Sequence, residues 1–244
     1  MKNSVNNFNK NGFVILKNII KKKEVQNLFK EIEIIKRKAI KTKNKRYFHF
    51  TSDHRINTIH NIQKFYKSKK LLSLSKNQKI NKFLKRVLSK NIHVRNFEFF
   101  LKPAKTGMAS PPHQDNFFWN IADSKAANVW IALSNSNKRN GGIYYLKGSQ
   151  KMGVVDHKPS QMKGTSQKVQ LKKIHKNNFK KIFPNLKIGD CLVHHCETIH
   201  GSHKNQSNSD RIGIAISYKN KVSKINFLKK REYEKKLKKF LNKI

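Results

Sequence analysis

Cysteine and acidic residues are scarce in this chain of 244 residues, which contains two cysteines and 13 aspartates and glutamates. So few cysteines exclude a disulfide framework, and Cys191 and Cys196 would point to opposite faces of a strand. The sequence also lacks an apolar run long enough for a signal peptide or for a helix that crosses a bilayer. We therefore expect a soluble, cytoplasmic protein that folds as a single domain over residues 1–244.

Basic residues, in contrast, are abundant: 55 lysines and arginines give a formal net charge of +42. A charge of this size usually indicates an anionic partner, such as a nucleic acid or a lipid surface. Coding bias is a second explanation, because lysine, asparagine and isoleucine share A/T-rich codons and occur in excess together, as in "KKIHKNNFKK". Both explanations are left open by the sequence.

Local patterns divide the chain into three parts. Residues from about 1 to 90 are predicted to be largely helical after a strand in "GFVILKN", because apolar residues recur at helical spacing. The two apolar stripes are Val25, Leu28, Phe29, Ile32 and Ile35, and Ile80, Phe83, Leu84, Val87 and Leu88. Residues from about 91 to 222 hold short β-like runs separated by turn signals, which are typical of a sandwich or barrel.

The third part, from about residue 223 to 244, is predicted to be a basic amphipathic helix. Its apolar stripe is Tyr233, Leu237, Phe240, Leu241 and Ile244. Such a helix either packs this stripe on the rest of the protein or binds a membrane surface or a partner.

The segment "PPHQDNFFW" contains the sharpest local signal for a metal site. His113 and Asp115 lie two residues apart, so both side chains project to the same side of an extended segment. His200 follows much later, at the end of a β-like run in "GDCLVHHCETIHGSHKNQSNSDRIGIAISY". Two imidazoles and one carboxylate form the 2-His-1-carboxylate facial triad, a set of ligands that suits Fe(II).

Arg211 follows His200 by eleven residues, across a polar stretch. If the two flanking strands pair antiparallel, the guanidinium returns to the end that carries His200 and can bind a carboxylate through two hydrogen bonds. Gly213, on the same face, would leave room for the bound group. The alternative is that Arg211 is an ordinary surface cation.

Four segments, taken in order, resemble the phytanoyl-CoA dioxygenase family of 2-oxoglutarate oxygenases. They are "NKNGFVILKNIIKKKEVQNLFKEIE", "PPHQDNFFW", "VWIALSNSNKRNGGIYYLKGSQKMG" and the segment that contains His200 and Arg211. The resemblance implies a double-stranded β-helix, a jelly-roll or cupin-like barrel that is mostly β with flanking helices. One departure is Gln150, where the family commonly has a histidine that is not an iron ligand.

The resemblance also implies a role for individual residues. His113, Asp115 and His200 would bind iron; Arg211 and Ser202 would bind the far carboxylate of 2-oxoglutarate, Trp130 would line that site, and Asn96 would donate a hydrogen bond to the cosubstrate. The implied cofactors are Fe(II), 2-oxoglutarate and O₂, with ascorbate as a candidate reductant. The implied reaction is hydroxylation of a small metabolite or an acyl substrate with release of succinate and CO₂. Because Asp115 is a carboxylate rather than glycine or alanine, hydroxylation is favoured over halogenation.

Two other interpretations compete with this one. A zinc site could use the cluster Cys191, His194, His195, Cys196, His200 and His203, although its spacing fits no common zinc motif. We expect instead that His195 stacks near the iron and that His194 and His203 are ordinary polar positions. A basic protein that binds nucleic acid or a membrane surface without catalysis is the second, although no specific nucleic-acid motif is present. For the enzyme, an anionic substrate would suit a basic entrance.

Overall fold

In a computed structural model of the protein, the structure describes residues 1–42, 44, 47–162, 165–170, 174 and 178–241. The α-helices are α1 (Lys2–Asn11), α2 (Lys22–Lys41), α3 (Lys69–Ser75), α4 (Gln78–Val87), α5 (Asp115–Trp119) and α6 (Phe227–Leu241). The strands of the N-terminal half are β1 (Phe13–Leu16), β2 (Phe48–Phe50), β3 (Ile56–Ile59), β4 (Ile92–Lys102), β5 (Ser110–His113) and β6 (Ala126–Ala132). Those that follow are β7 (Ile143–Leu146), β8 (His157–Met162), β9 (Thr165–Val169), β10 (Lys181–Ile182), β11 (Cys191–His195), β12 (His200–Ser202) and β13 (Arg211–Asn220).

Two antiparallel sheets form the body of the molecule. The major sheet has seven strands in the order β1-β11-β6-β13-β4-β3-β2, and the minor sheet has four in the order β10-β7-β12-β5. Strands β8 and β9 form a separate hairpin. The predicted architecture of antiparallel sheets with flanking helices is therefore confirmed, and β1 to β3 of the N-terminal part are themselves strands of the major sheet.

The two faces of the major sheet differ in character, because successive side chains of a strand point to opposite sides. On β13, Ile214 and Ile216 pack with the apolar residues of α2 and α4 in the main core. Gly213 and Ala215, which alternate with them, face the minor sheet. Large apolar side chains thus hold the helices, while small ones leave space between the sheets.

The predicted helices are confirmed with small changes. Val25, Leu28, Ile32 and Ile35 of α2 are buried, as the apolar spacing requires, whereas Phe29 is 37% exposed and lies off the stripe. In α6, the Tyr233 ring meets the edges of the Phe117 and Phe118 rings, so the C-terminal helix packs on α5. The side chains of Leu237, Phe240 and Leu241, and all of Ile244, lie outside the described residues. No described helix combines the length and apolarity needed to cross a bilayer.

The strands that flank the polar stretch between His200 and Arg211 do not pair with each other, so the condition considered for Arg211 is not met. His200 begins β12 in the minor sheet, and Arg211 begins β13 in the major sheet, where it pairs with β4 and β6. The polar stretch between them therefore crosses from one sheet to the other. Short strands give no local sign of their sheet, since the pairing is set by distant partners.

Candidate active site

The three predicted metal ligands converge between the sheets. His113 ends β5, Asp115 begins α5 after one extended residue, and His200 begins β12, directly opposite His113 in the register of the minor sheet. Asp115 Oδ1 lies 3.9 Å from Nε2 of His113 and 3.7 Å from Nε2 of His200. Among the described residues, this is the group of three or more possible ligands whose atoms all lie within 4.8 Å of one another.

Backbone carbonyls fix the orientation of both imidazoles. Nδ1 of His113 lies 2.9 Å from the Pro111 carbonyl oxygen, and Nδ1 of His200 lies 2.9 Å from that of Thr198. A carbonyl can only accept, so each Nδ1 carries the proton and each Nε2 presents a lone pair. Burial lowers the pKa of both histidines to about 4, which keeps them neutral at physiological pH.

Asp115 is held by its other oxygen. Oδ2 accepts hydrogen bonds from His194 Nε2 at 3.1 Å and from Asn128 Nδ2 at 3.2 Å. Burial raises the pKa of Asp115, but the nearby His200 and the hydrogen bond from His194 outweigh it and hold the pKa below its usual range. The carboxylate is thus ionised, with Oδ1 directed toward the two imidazoles.

A tyrosine completes the support of this carboxylate. Burial raises the pKa of Tyr145 well above its usual range, so the phenol keeps its proton and donates to His194 Nδ1 at 2.8 Å. His194 must then carry its proton on Nε2, where it donates to Asp115. The chain from Tyr145 through His194 to Asp115 therefore sets both the tautomer and the rotamer next to the site.

The expected roles of the two adjacent histidines were reversed. His194, predicted to be an ordinary polar position, lies 4.4 Å from the His200 ring, measured between centroids. His195, predicted to stack near the iron, instead lies 6.2 Å from the ring of Phe8 on the opposite face of β11. His203 contacts the rings of Tyr144 and Phe183. Alternation along the strand excludes a site that uses both His194 and His195, and the zinc cluster does not form among the described residues.

Arg211 is buried rather than a surface cation, with 3% of its surface exposed. One Nη atom donates to the Gly141 carbonyl oxygen at 3.2 Å, and the guanidinium carbon lies 5.1 Å from the centroid of the Trp130 ring. Within the described part of the chain, its Nε has no hydrogen-bond partner and the group makes no ion pair. Burial lowers its pKa to about 9, so it is still largely protonated at neutral pH.

Lys102 is a second buried basic residue beside Arg211, and nothing in the sequence pattern singled it out. The two residues pair in register between β4 and β13, and 3% of Lys102 is exposed. Its Nζ donates to the His203 carbonyl oxygen at 2.6 Å. Burial and the charge of Arg211 hold the pKa of Lys102 well below its usual range. A buried pair of basic groups without a carboxylate is costly, and an anionic ligand would relieve that cost.

Gly213 leaves the space that the Trp130 ring occupies. A Cβ at this position would lie 2.0 Å from the indole, so any side chain would displace the ring. The buried Trp130 Nε1 has no partner among the described residues, and neither has Asn96 Oδ1. Ser202 is also buried, on the face of β12 that carries His200. The predicted roles of Trp130, Asn96 and Ser202 toward a cosubstrate stay predictions.

A cavity of about 600 Å³ lies next to α5, and none of the three candidate ligands is among the residues that line it. Asn116 and Phe117, which follow Asp115 directly, line it together with the β8–β9 hairpin and α6. Phe118 connects this region to the site, because its ring meets both His113 and Tyr233 edge-on. The C-terminal helix thus supports the α5 segment that carries the carboxylate ligand.

Comparison with known proteins shows to which family this chain belongs. The family model described as phytanoyl-CoA dioxygenase (PhyH) matches residues 8–213. The chain belongs to the PhyH family. A peroxisomal phytanoyl-CoA dioxygenase of Bos taurus is 24% identical over 86% of this chain, and a probable alpha-ketoglutarate-dependent hypophosphite dioxygenase of Stutzerimonas stutzeri is 28% identical over 60% of it. The chain spans 66% of the bovine protein and 51% of the bacterial one.

Two solved structures of similar fold confirm the predicted fold class. EctD from S. alaskensis, solved with 2-oxoglutarate and 5-hydroxyectoine, has a TM-score of 0.75 and 16% identity, and the match covers 93% of this chain and 78% of EctD. The non-heme alpha ketoglutarate dependent carbocyclase SnoK has a TM-score of 0.74 and 16% identity, with 92% of this chain and 86% of SnoK covered. At this identity the likeness concerns the fold alone.

The support of Asp115 by His194 leads to a first prediction. A His194→Gln variant is expected to bind Fe(II) about 10- to 100-fold more weakly, because loss of a partner behind a metal ligand typically has that effect. Calorimetric titration of the anaerobic protein with Fe(II) measures the affinity. His195→Gln is the matched control, since its side chain lies on the opposite face of β11 and should leave the affinity unchanged. Equal affinities in the two variants would contradict the role of His194.

Proposed function

We propose that the chain is an Fe(II)- and 2-oxoglutarate-dependent dioxygenase that hydroxylates a small molecule. The observation that carries this proposal is the convergence of three ligand atoms, from His113, Asp115 and His200, in a protein that also buries a guanidinium whose Nε has no partner among the described residues. In the proposed reaction, substrate R–H, 2-oxoglutarate and O₂ give R–OH, succinate and CO₂. PhyH family membership supports this reaction class.

The donor set fits iron. Two neutral imidazole nitrogens and one ionised carboxylate oxygen are the ligands that non-haem Fe(II) oxygenases use. Bound Fe(II) would supply the redox chemistry that activates O₂. The protein's own part is to keep Nε2 of His113 and His200 unprotonated, through the carbonyls of Pro111 and Thr198, and to fix Asp115 through His194 and Asn128.

The buried cations fit a dicarboxylic cosubstrate. Arg211 can bind a carboxylate through two parallel hydrogen bonds, one of them from the Nε that otherwise has no partner among the described residues. Lys102 would neutralise the remaining charge from the neighbouring strand. Trp130, stacked on the guanidinium, would keep water from this end of the site and hold the arginine plane in position.

A substrate with an anionic group is the finer proposal that the surface suggests. With a net charge of +42, the protein would attract anions to its entrance and raise their encounter rate. This attraction acts at the outer surface of the protein and not inside the site. If salt has no effect on the turnover of anionic candidates, the charge reflects coding bias instead.

The test of the proposed function is succinate formation. Protein purified without oxygen and then given Fe(II), ascorbate, 2-oxoglutarate and air is expected to release succinate and CO₂ slowly even without its substrate. Omission of Fe(II), or addition of a chelator, should abolish the release. A protein that binds neither Fe(II) nor 2-oxoglutarate but is retained on DNA in a strongly salt-dependent way would instead support the non-catalytic binding protein.

A further inference from the structure

A second polar pair lies on the inner face of the major sheet. Glu98 of β4 pairs with Ala215 of β13, which in turn pairs with Trp130 of β6, so these three side chains share the face that looks toward the minor sheet. His60, directly after β3, meets Glu98: its Nδ1 lies 2.6 Å from Oε1. The proposed iron and cosubstrate sites use neither residue.

The pair lies one inward row away from a residue that contacts a candidate metal ligand. The next inward row of the sheet contains Asn96, Ser217 and Asn128, and it ends at the hydrogen bond to Asp115.

The pairing of β3 with β4 does not require these two side chains, because Thr58 and Ile59 pair with Phe100 and Phe99. The side chains of His60 and Glu98 are only 18% and 17% exposed, and an apolar pair of similar size is often at least as stable as a buried ion pair. A carboxylate that faces inward without being needed to join the strands points to a ligand.

The side-chain atom of the pair that has no hydrogen-bond partner among the described residues defines the chemistry of that ligand. His60 donates from Nδ1 to Oε1 of the Glu98 carboxylate, which leaves Glu98 Oε2 as the open atom of the pair. In the described part of the chain, this Oε2 makes no hydrogen bond. A carboxylate oxygen accepts hydrogen bonds, and the edge of the Phe100 ring, with its centroid 6.0 Å from that of His60, gives the pair an apolar side.

We propose that His60 and Glu98 bind the substrate of the iron site through a hydrogen-bond donor, an alcohol or a protonated amine. This rests on the proposed function, since it assigns the substrate class of the same site. An anionic head group is disfavoured at this end of the interior, because the Glu98 carboxylate would repel it. The anionic group that the basic exterior attracts would then be at the outer end of the substrate, and the donor that binds Glu98 at its inner end.

Two probes of equal length, hexylamine and hexanoate, separate the possibilities. The anaerobic protein, loaded with Fe(II) and 2-oxoglutarate, is titrated with each probe in a calorimeter. Hexylamine is expected to bind at least about tenfold more tightly than hexanoate, as one charge-assisted hydrogen bond suffices for that ratio. Glu98→Gln, which keeps the size of the side chain, should weaken hexylamine at least about tenfold and bring the two probes together.

Glu33→Gln is the matched control, because Glu33 is an exposed acid of α2 and its loss changes the net charge equally. His60→Asn is a second variant that should weaken hexylamine in the same direction as Glu98→Gln. Binding of hexanoate as tight as that of hexylamine, no binding of either probe, or equal effects of Glu98→Gln and Glu33→Gln would overturn the proposal. Titrations with Fe(II) and 2-oxoglutarate come first, and a failure to bind either of them would count against the proposed function. If both bind but the titrations with hexylamine and hexanoate fail, only the role of His60 and Glu98 is refuted.

Discussion

A His200→Ala variant is expected to lose measurable Fe(II) binding and to release succinate at least about 100-fold more slowly than the wild type. Loss of a residue behind a ligand already weakens metal binding about 10- to 100-fold, so loss of a ligand should do at least as much. The neutral Nε2 of His200 lies in the group of three ligand atoms, and no other described histidine can replace it. Fe(II) titration and succinate release measure the two effects.

His93→Ala is the control for this variant, because His93 is an exposed histidine of β4. It removes the same atoms from the surface and should leave Fe(II) binding and succinate release as in the wild type. Wild-type turnover in His200→Ala would refute the metal site, whereas a loss in both variants would indicate a general effect of histidine removal.

An Arg211→Met variant is expected to bind 2-oxoglutarate at least about 100-fold more weakly, because two charge-assisted hydrogen bonds are lost. Its free energy of unfolding without ligands should be equal to or higher than that of the wild type, since methionine removes an unpaired buried charge. This combination distinguishes a binding role from a structural one. Calorimetric titration with 2-oxoglutarate and urea unfolding measure the two quantities.

Two further variants sharpen the result. Arg211→Lys keeps the charge but not the planar fork, so it should bind 2-oxoglutarate with an affinity between those of Arg211→Met and the wild type. Arg86→Met, on the exposed face of α4, removes a surface cation and should change neither quantity. If Arg211→Met unfolds more easily and binds 2-oxoglutarate normally, the arginine holds the fold rather than the cosubstrate.

The convergence of the three candidate ligands and the fold class could be predicted from the sequence because each depends on short, ordered patterns. His113 and Asp115 are fixed relative to each other by an extended backbone at one intervening residue. The short β-like runs separated by turn signals predict antiparallel sheets. The order of the four segments resembles the PhyH family, whose model covers residues 8–213. None of these inferences needed a long-range contact.

The inferences that failed all required knowledge of a long-range contact. The choice between His194 and His195 depends on the register of β11, and a shift of one residue exchanges the two faces of a strand. In the sequence, nothing distinguishes Lys102 from the other lysines and arginines, which number 55 in all. Its position beside Arg211 follows only from the pairing of β4 with β13. The sequence also left open whether the strands that carry His200 and Arg211 pair with each other, and β12 and β13 in fact join different sheets.

The sequence by itself thus determined the chemistry available to this protein: two imidazoles, a carboxylate and an arginine in the order of the PhyH family. The tertiary structure alone decided which neighbours act on these groups, since Tyr145 reaches Asp115 through His194, and Glu98 meets His60, across strands that are distant in the chain. The physical reason is that ligand type is a property of a residue. Orientation, burial and protonation are properties of its surroundings.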